Sequence, residues 1–128
     1  MSAITLEQEL TVQIKAAMGT HGMWKSRLQT AIAAGASDIT AADVARDDQC
    51  DFGKWLHQGI SQTARASAKY ATVLELHARF HTEAARVLGL AVGGRGMEAK
   101  RALDRAAAYG VISSELTREM TAWLRSVA

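Results

Sequence analysis

Proline is absent from the 128 residues and cysteine occurs once. Without proline the chain has no built-in helix breaks, and a lone thiol cannot close an internal disulfide, which excludes a small disulfide-stapled secreted scaffold. Long apolar runs are missing too. The longest, around Val87 to Val92, contains Gly89 and falls far below the roughly 18 residues that mark a bilayer span, so no membrane insertion is expected. The N-terminus, Met-Ser-Ala-Ile-Thr-Leu, lacks the basic start and apolar stretch of a secretory signal; a cytoplasmic location is expected. No stretch collects one sign of charge: the 15 basic and 13 acidic residues alternate, leaving a net charge of +2. With no basic stripe, aromatic platform or recognition-helix signature, nucleic acid is not an expected partner. The length fits a single domain over residues 1–128 and excludes a two-domain enzyme.

What remains is 48% hydrophobic, with alanine the commonest residue. That composition suits packed helices, and the chain reads as all-α. From about Thr5 to Ala34, Leu10, Ile14, Met18, His21, Leu28 and Ile32 recur at helical steps on one face. Gly35 ends that helix, and Thr40 is placed to cap a short one, with Asp43 at the capping-box distance. Residues 40–60 are irregular, with one or two short helices around Asp47-Asp48-Gln49-Cys50-Asp51-Phe52-Gly53-Lys54-Trp55-Leu56 and a stop at Gly59. Ser61 or Thr63 opens the next long helix, whose inward stripe runs from Tyr70 through Val73, Leu74, His77, Phe80, His81 and Ala84 to Leu88. After a glycine-rich turn, a last helix from about Met97 to Val127 repeats Leu103, Ala106, Tyr109, Ile112, Leu116, Met120, Trp123 and Leu124. Three long helices and a short middle element imply a four-helix-bundle-like domain with an extra short helix carrying the Cys segment.

Three of the four histidines fall on stripes that should be apolar. His77 and His81 are four apart, so both imidazoles project from one face and can chelate a single ion. With His21 and a Cys50 thiolate they supply three nitrogens and one sulfur, a donor set that suits tetrahedral zinc. His57 is the competing fourth histidine, expected at the surface. Carboxylates should orient the imidazole N–H groups and offset the charge; Asp47, Asp48 and Asp51 are the candidates, with Asp43 and Glu83 further ones.

The order His21, then Cys50-Asp51-Phe52-Gly53-Lys54-Trp55-Leu56, then His77-Ala78-Arg79-Phe80-His81, resembles the chemoreceptor zinc-binding (CZB) domain of bacterial chemotaxis receptors and diguanylate cyclases. Trp24, three residues after His21, extends the resemblance, which spans nearly the whole chain and matches at all four ligand positions. It implies a cytosolic helical bundle, usually a homodimer, that binds zinc through His21, Cys50, His77 and His81 and regulates an attached signalling domain. Domains of this family normally sit beside a methyl-accepting signalling helix or a cyclase, and neither is recognisable within these 128 residues. The expectation is a free-standing regulator working through a signalling partner, or a domain separated from its output module; the Met1 start favours a natural N-terminus.

The implied function is a sensory zinc domain of chemotaxis or cyclic-di-GMP control, with zinc availability or oxidation of Cys50 by hypochlorous acid as candidate signals. The alternative is a helical dimerisation module in which zinc is only a staple. A zinc hydrolase is disfavoured, since Ala78 follows His77 where the His-Glu-x-x-His pattern needs its general base, and four protein ligands leave no position for substrate; no enzyme is expected. A di-iron bundle would need ligands on every helix, and the last helix carries no histidine. Met23, Trp24, Val111, Trp123 and Leu124 add apolar surface beyond what one small bundle needs, a second pointer to a homodimer.

Overall fold

The computed structural model describes residues 5–126, and among them the chain is all helix and turn, with no strand. The order is α1 (Leu6–Gly22), α2 (Trp24–Ala34), α3 (Ala41–Val44), α4 (Asp51–Lys54), a π-helical turn (Trp55–Gly59), α5 (Gln62–Arg65), α6 (Ala68–Val92), α7 (Gly96–Ala102) and α8 (Ala108–Ser126). The central element is α6, packed against α8, α2, α3 and α7, while α1 packs against α8, α4 and α2. This is the helical bundle expected, with the Cys segment laid across α6 and α1. No helix among the described residues is long and apolar enough to cross a membrane.

Local chemistry sets the boundaries. Thr5 opens α1 with a reciprocal capping box: the Gln8 N–H donates to Thr5 Oγ1 (3.1 Å) and the Thr5 N–H to Gln8 Oε1 (2.8 Å). Thr40 caps α3 by accepting from the Asp43 N–H at 3.1 Å. At the end of α2, Gly35 adopts φ 67°, a left-handed cap that a side chain would strain.

Three long helices expected as continuous are not. The first bends at Gly22–Met23, where the Met23 N–H tightens to a three-residue bond with the Thr20 carbonyl (3.2 Å). The helix expected from Ser61 or Thr63 is interrupted at Ala66–Ser67. Ser61 caps only the single turn of α5, and Ser67 accepts from the Lys69 N–H (3.1 Å) to start α6. Beyond Leu88, α6 continues through Gly89 to Val92 because Leu88 and Ala91 are both buried on its inner face. The last helix divides at 103–107: Asp104 takes the Ala106 N–H on Oδ1 (2.9 Å) and the Ala107 N–H on its carbonyl (3.0 Å), a side-chain turn that competes with helix. Ala106, expected inward, is consequently exposed. The expected end at Val127, and the Met1 start, lie outside the described residues.

The core includes Leu10, Ile14, Leu28, Phe80, Val87, Leu88, Leu116 and Met120, all nearly inaccessible. Each such side chain contributes on the order of 1.5–3 kcal/mol by leaving water. Trp24 and Trp123, expected as surplus surface, are both inside this core. Trp24 closes the bundle beside His81, and Trp123 packs with Trp55 and Tyr70. The argument for a dimer from these two residues therefore falls, although Met23 and Val111 are exposed as expected.

Candidate metal centre

His21 sits in the last turn of α1, one residue before the bend, and the helix itself aims the ring: Nδ1–H donates to the Ala17 carbonyl one turn back, at 2.8 Å. His81, on α6, donates Nδ1–H to the Val44 carbonyl at the end of α3, at 2.9 Å. A carbonyl oxygen only accepts, so both rings carry their proton on Nδ1 and present a bare Nε2. Those nitrogens face His77, one turn before His81. Its Nε2 lies 3.1 Å from that of His21 and 3.1 Å from that of His81. Its Nδ1 is buried without any hydrogen-bond partner.

Cys50 completes the group from the opposite side. As the N-cap of α4 it is half-buried, and its Sγ stands 3.4 Å from His77 Nε2 and 3.6 Å from His81 Nε2, while accepting from the Gly53 N–H at 3.2 Å. The four donor atoms lie within 4.8 Å of one another. Rings wall the cluster: Phe52 stands edge-on to His21 and His77 (centroids 5.9 and 5.2 Å), Phe80 to His21 (5.1 Å) and Trp24 to His81 (6.2 Å).

Electrostatics decides what such a cluster can do. Burial lowers the pKa of His21 to about 4 and that of His77 to about 2, with the neighbouring imidazoles adding to the effect, and burial also lowers that of His81 against the raising influence of Val44 and Asp47. All three are neutral at pH 7. Three neutral imidazoles with two Nε2 lone pairs fixed toward a third ring repel unless a cation sits among them; His77 has at most one Nε2 proton to offer, and it can serve only one neighbour. Burial pushes the Cys50 thiol up, a cost that metal coordination removes. The spacing also fits. Zinc at roughly 2.0–2.1 Å from nitrogen and 2.3 Å from sulfur requires tetrahedral edges of about 3.3 Å between nitrogens and about 3.6 Å between sulfur and nitrogen. Four of the six donor separations, 3.1, 3.1, 3.4 and 3.6 Å, approach those edges, and all six lie within 4.8 Å. The donor set therefore fits a tetrahedral metal ion.

The carboxylates expected to orient the imidazoles do not. Asp47 pairs instead with His57 (3.1 Å), Asp48 with Arg46 (3.6 Å) and Gln49, and Glu83 with Arg86. Asp51 is exposed, and no imidazole N–H reaches it. Backbone carbonyls hold the His21 and His81 rings because they lie inside the bundle, where bringing in an ionised carboxylate would cost several kcal/mol on the order of its desolvation. Asp47 and Asp51 act only through their fields, on His81 and Cys50 respectively. His57 is exposed and outside the cluster. The sequence reading missed the orienting carbonyls and the aromatic wall. Helix geometry alone could have indicated Ala17, four before His21, but nothing local points from Val44 to His81.

The family model for the chemoreceptor zinc-binding domain matches residues 21–88, from the first histidine of the cluster to seven residues beyond the last. No curated protein matches the chain significantly, and neither does any solved structure.

Proposed function

Because the chain belongs to the chemoreceptor zinc-binding domain family, we propose that it is a regulatory module of bacterial signalling, in chemotaxis or cyclic-di-GMP control, that holds one zinc ion through His21, Cys50, His77 and His81. The observation that carries this reading is the convergence of three Nε2 atoms and one Sγ, with two of the rings locked in the metal-binding tautomer by backbone carbonyls. Bound there, zinc supplies a positive charge that relieves the lone-pair repulsion and keeps Cys50 a thiolate.

The residues then couple the centre to the bundle. The 41–60 segment is anchored to α6 at three points: the Val44 carbonyl meets His81, Cys50 Sγ meets His77 and His81, and the Leu56 carbonyl accepts from the Tyr70 hydroxyl at 2.9 Å. From Cys50 the chain leads to Phe52, stacked on Trp55 (5.7 Å), which leans on Trp123 of α8 (5.9 Å). Release of Cys50 loosens one anchor and with it the packing of Trp55 against α8. Two inputs achieve this: withdrawal of zinc, or oxidation of the thiolate. In the second, Sγ gives two electrons to hypochlorous acid, its oxygen is transferred to sulfur with the proton, and chloride leaves; the sulfenic acid formed is a poorer ligand. Output passes through a homodimer to a signalling protein or an attached output domain, to which the individually exposed Val12, Met23, Met97 and Val111 offer apolar contacts. Four protein donors in a buried cluster leave no position for substrate, which argues against hydrolysis.

Elemental mass spectrometry of protein purified without chelator tests the ligand set. About one zinc per chain, surviving dialysis and lost in Cys50→Ala and His77→Ala, is expected; no metal, or zinc indifferent to both substitutions, overturns it. Hypochlorite and chelator titrations that change tryptophan emission and dimer state separate a sensor from a structural staple, which keeps both unchanged until it unfolds.

A further inference from the structure

Cys50 lies on a turn, not within a long helix, so something must hold its sulfur toward α6. One neighbour meets it directly. Gly53 is buried, and its N–H is the donor that Sγ accepts at 3.2 Å. Among the glycines, Gly53 leaves the least room for a side chain. A Cβ there would stand 1.7 Å from the Asp47 carbonyl oxygen, 2.8 Å from its carbon and 3.1 Å from Asp48 Cα. These are backbone atoms, which cannot rotate aside as a flexible side chain would. The 47–50 turn can therefore lie on α4 only if residue 53 has no side chain.

Resting on the zinc reading above, we propose that Gly53 is the positioning residue of the centre. Its bare Cα admits the turn that brings Cys50 between His77 and His81, and its N–H fixes the sulfur and draws charge from the thiolate. An amide donor to a metal-bound thiolate tempers its donor strength and directs its lone pairs, so loss of this contact alters both affinity and the sulfur–metal bond. Asp47 moves with the turn. Its carboxylate, tied to His57 at 3.1 Å, holds the outer side of the same loop.

The test uses cobalt, whose sulfur-to-metal charge-transfer absorption reports the thiolate bond, together with zinc competition. Gly53→Ala is expected to keep the helical circular dichroism, to bind zinc ~10–100-fold more weakly, and to lose or shift the charge-transfer band toward the spectrum of Cys50→Ala. Gly19→Ala, at a helical position with nothing within 4 Å of the new Cβ, is expected to match the wild type. Wild-type affinity and an unchanged band in Gly53→Ala overturn the proposal. If Gly53→Ala does not fold, the wild type loaded with an NMR-active cadmium isotope decides: scalar coupling between the Gly53 amide proton and cadmium through sulfur supports the contact, and its absence overturns it. A wild type that takes up neither cobalt nor zinc sinks the ligand reading itself, a result distinct from any of these.

Discussion

His77 is the residue whose substitution should change sign with the metal. It is fully buried, its Nδ1 has no partner, and its Nε2 sits 3.1 Å from two others. Leucine matches its volume closely and carries no polar atom, so His77→Leu removes a polar group without opening a cavity. In chelator, the wild type bears the cost of an unsatisfied buried nitrogen, about 1–3 kcal/mol, and of facing lone pairs. His77→Leu should therefore be at least as stable as the wild type, and up to roughly 10 °C more so at about 4 °C per kcal/mol for this chain length. In zinc at a thousandfold excess over its dissociation constant, the wild type gains about 4 kcal/mol that the variant forgoes, a deficit of roughly 15 °C before the variant's own gain is subtracted. Thermal unfolding followed by circular dichroism, with chelator and with zinc, gives both numbers. A variant destabilised equally in the two conditions would refute the reasoning, making His77 an ordinary packing residue.

Acid should destabilise the chelated protein. The folded pKa values of His21 and His77, about 4 and about 2, lie below 6.5, so the unfolded chain binds protons first and stability is lost as pH falls below 6.5. By pH 5 His21 alone accounts for on the order of 2 kcal/mol, which urea midpoints at pH 7 and pH 5 will read; equal midpoints contradict the burial argument. His57→Gln should leave zinc content unchanged and cost under ~1 kcal/mol, since it breaks only an exposed pair with Asp47; lost zinc by elemental analysis would place His57 in the centre after all. Asp104→Ala removes the side-chain acceptor that separates α7 from α8 and should cost about 0.5–2 kcal/mol by analogy with helix caps, measured by denaturant unfolding, and no loss would mean the turn is set elsewhere.

The donors of this site could be read from sequence because each breaks a pattern. A histidine on an apolar stripe must be paid for by a partner, and His21, His77 and His81 break stripes otherwise filled by residues such as Leu10, Val73 and Phe80. The Cys50 segment added a motif to the anomaly. The groups that aim the donors break no pattern: Ala17 and Val44 act through backbone carbonyls, which every residue carries, and only the folded chain decides which carbonyl meets which ring. The same holds for boundaries. The sequence offers Ser61 or Thr63 as the start, but Ser61 caps a single turn and the long helix opens at Ser67, a break that packing and not local chemistry decides. Trp24 and Trp123 read as surplus because apolar surface was counted per helix, whereas an aromatic at a bundle's edge is buried by whichever elements cross it, here the His81 ring and the Trp55 turn. The identity of a site is thus local chemistry and its geometry is global. A substitution that keeps every donor but moves the 41–60 segment therefore weakens the centre while leaving the donor motif intact.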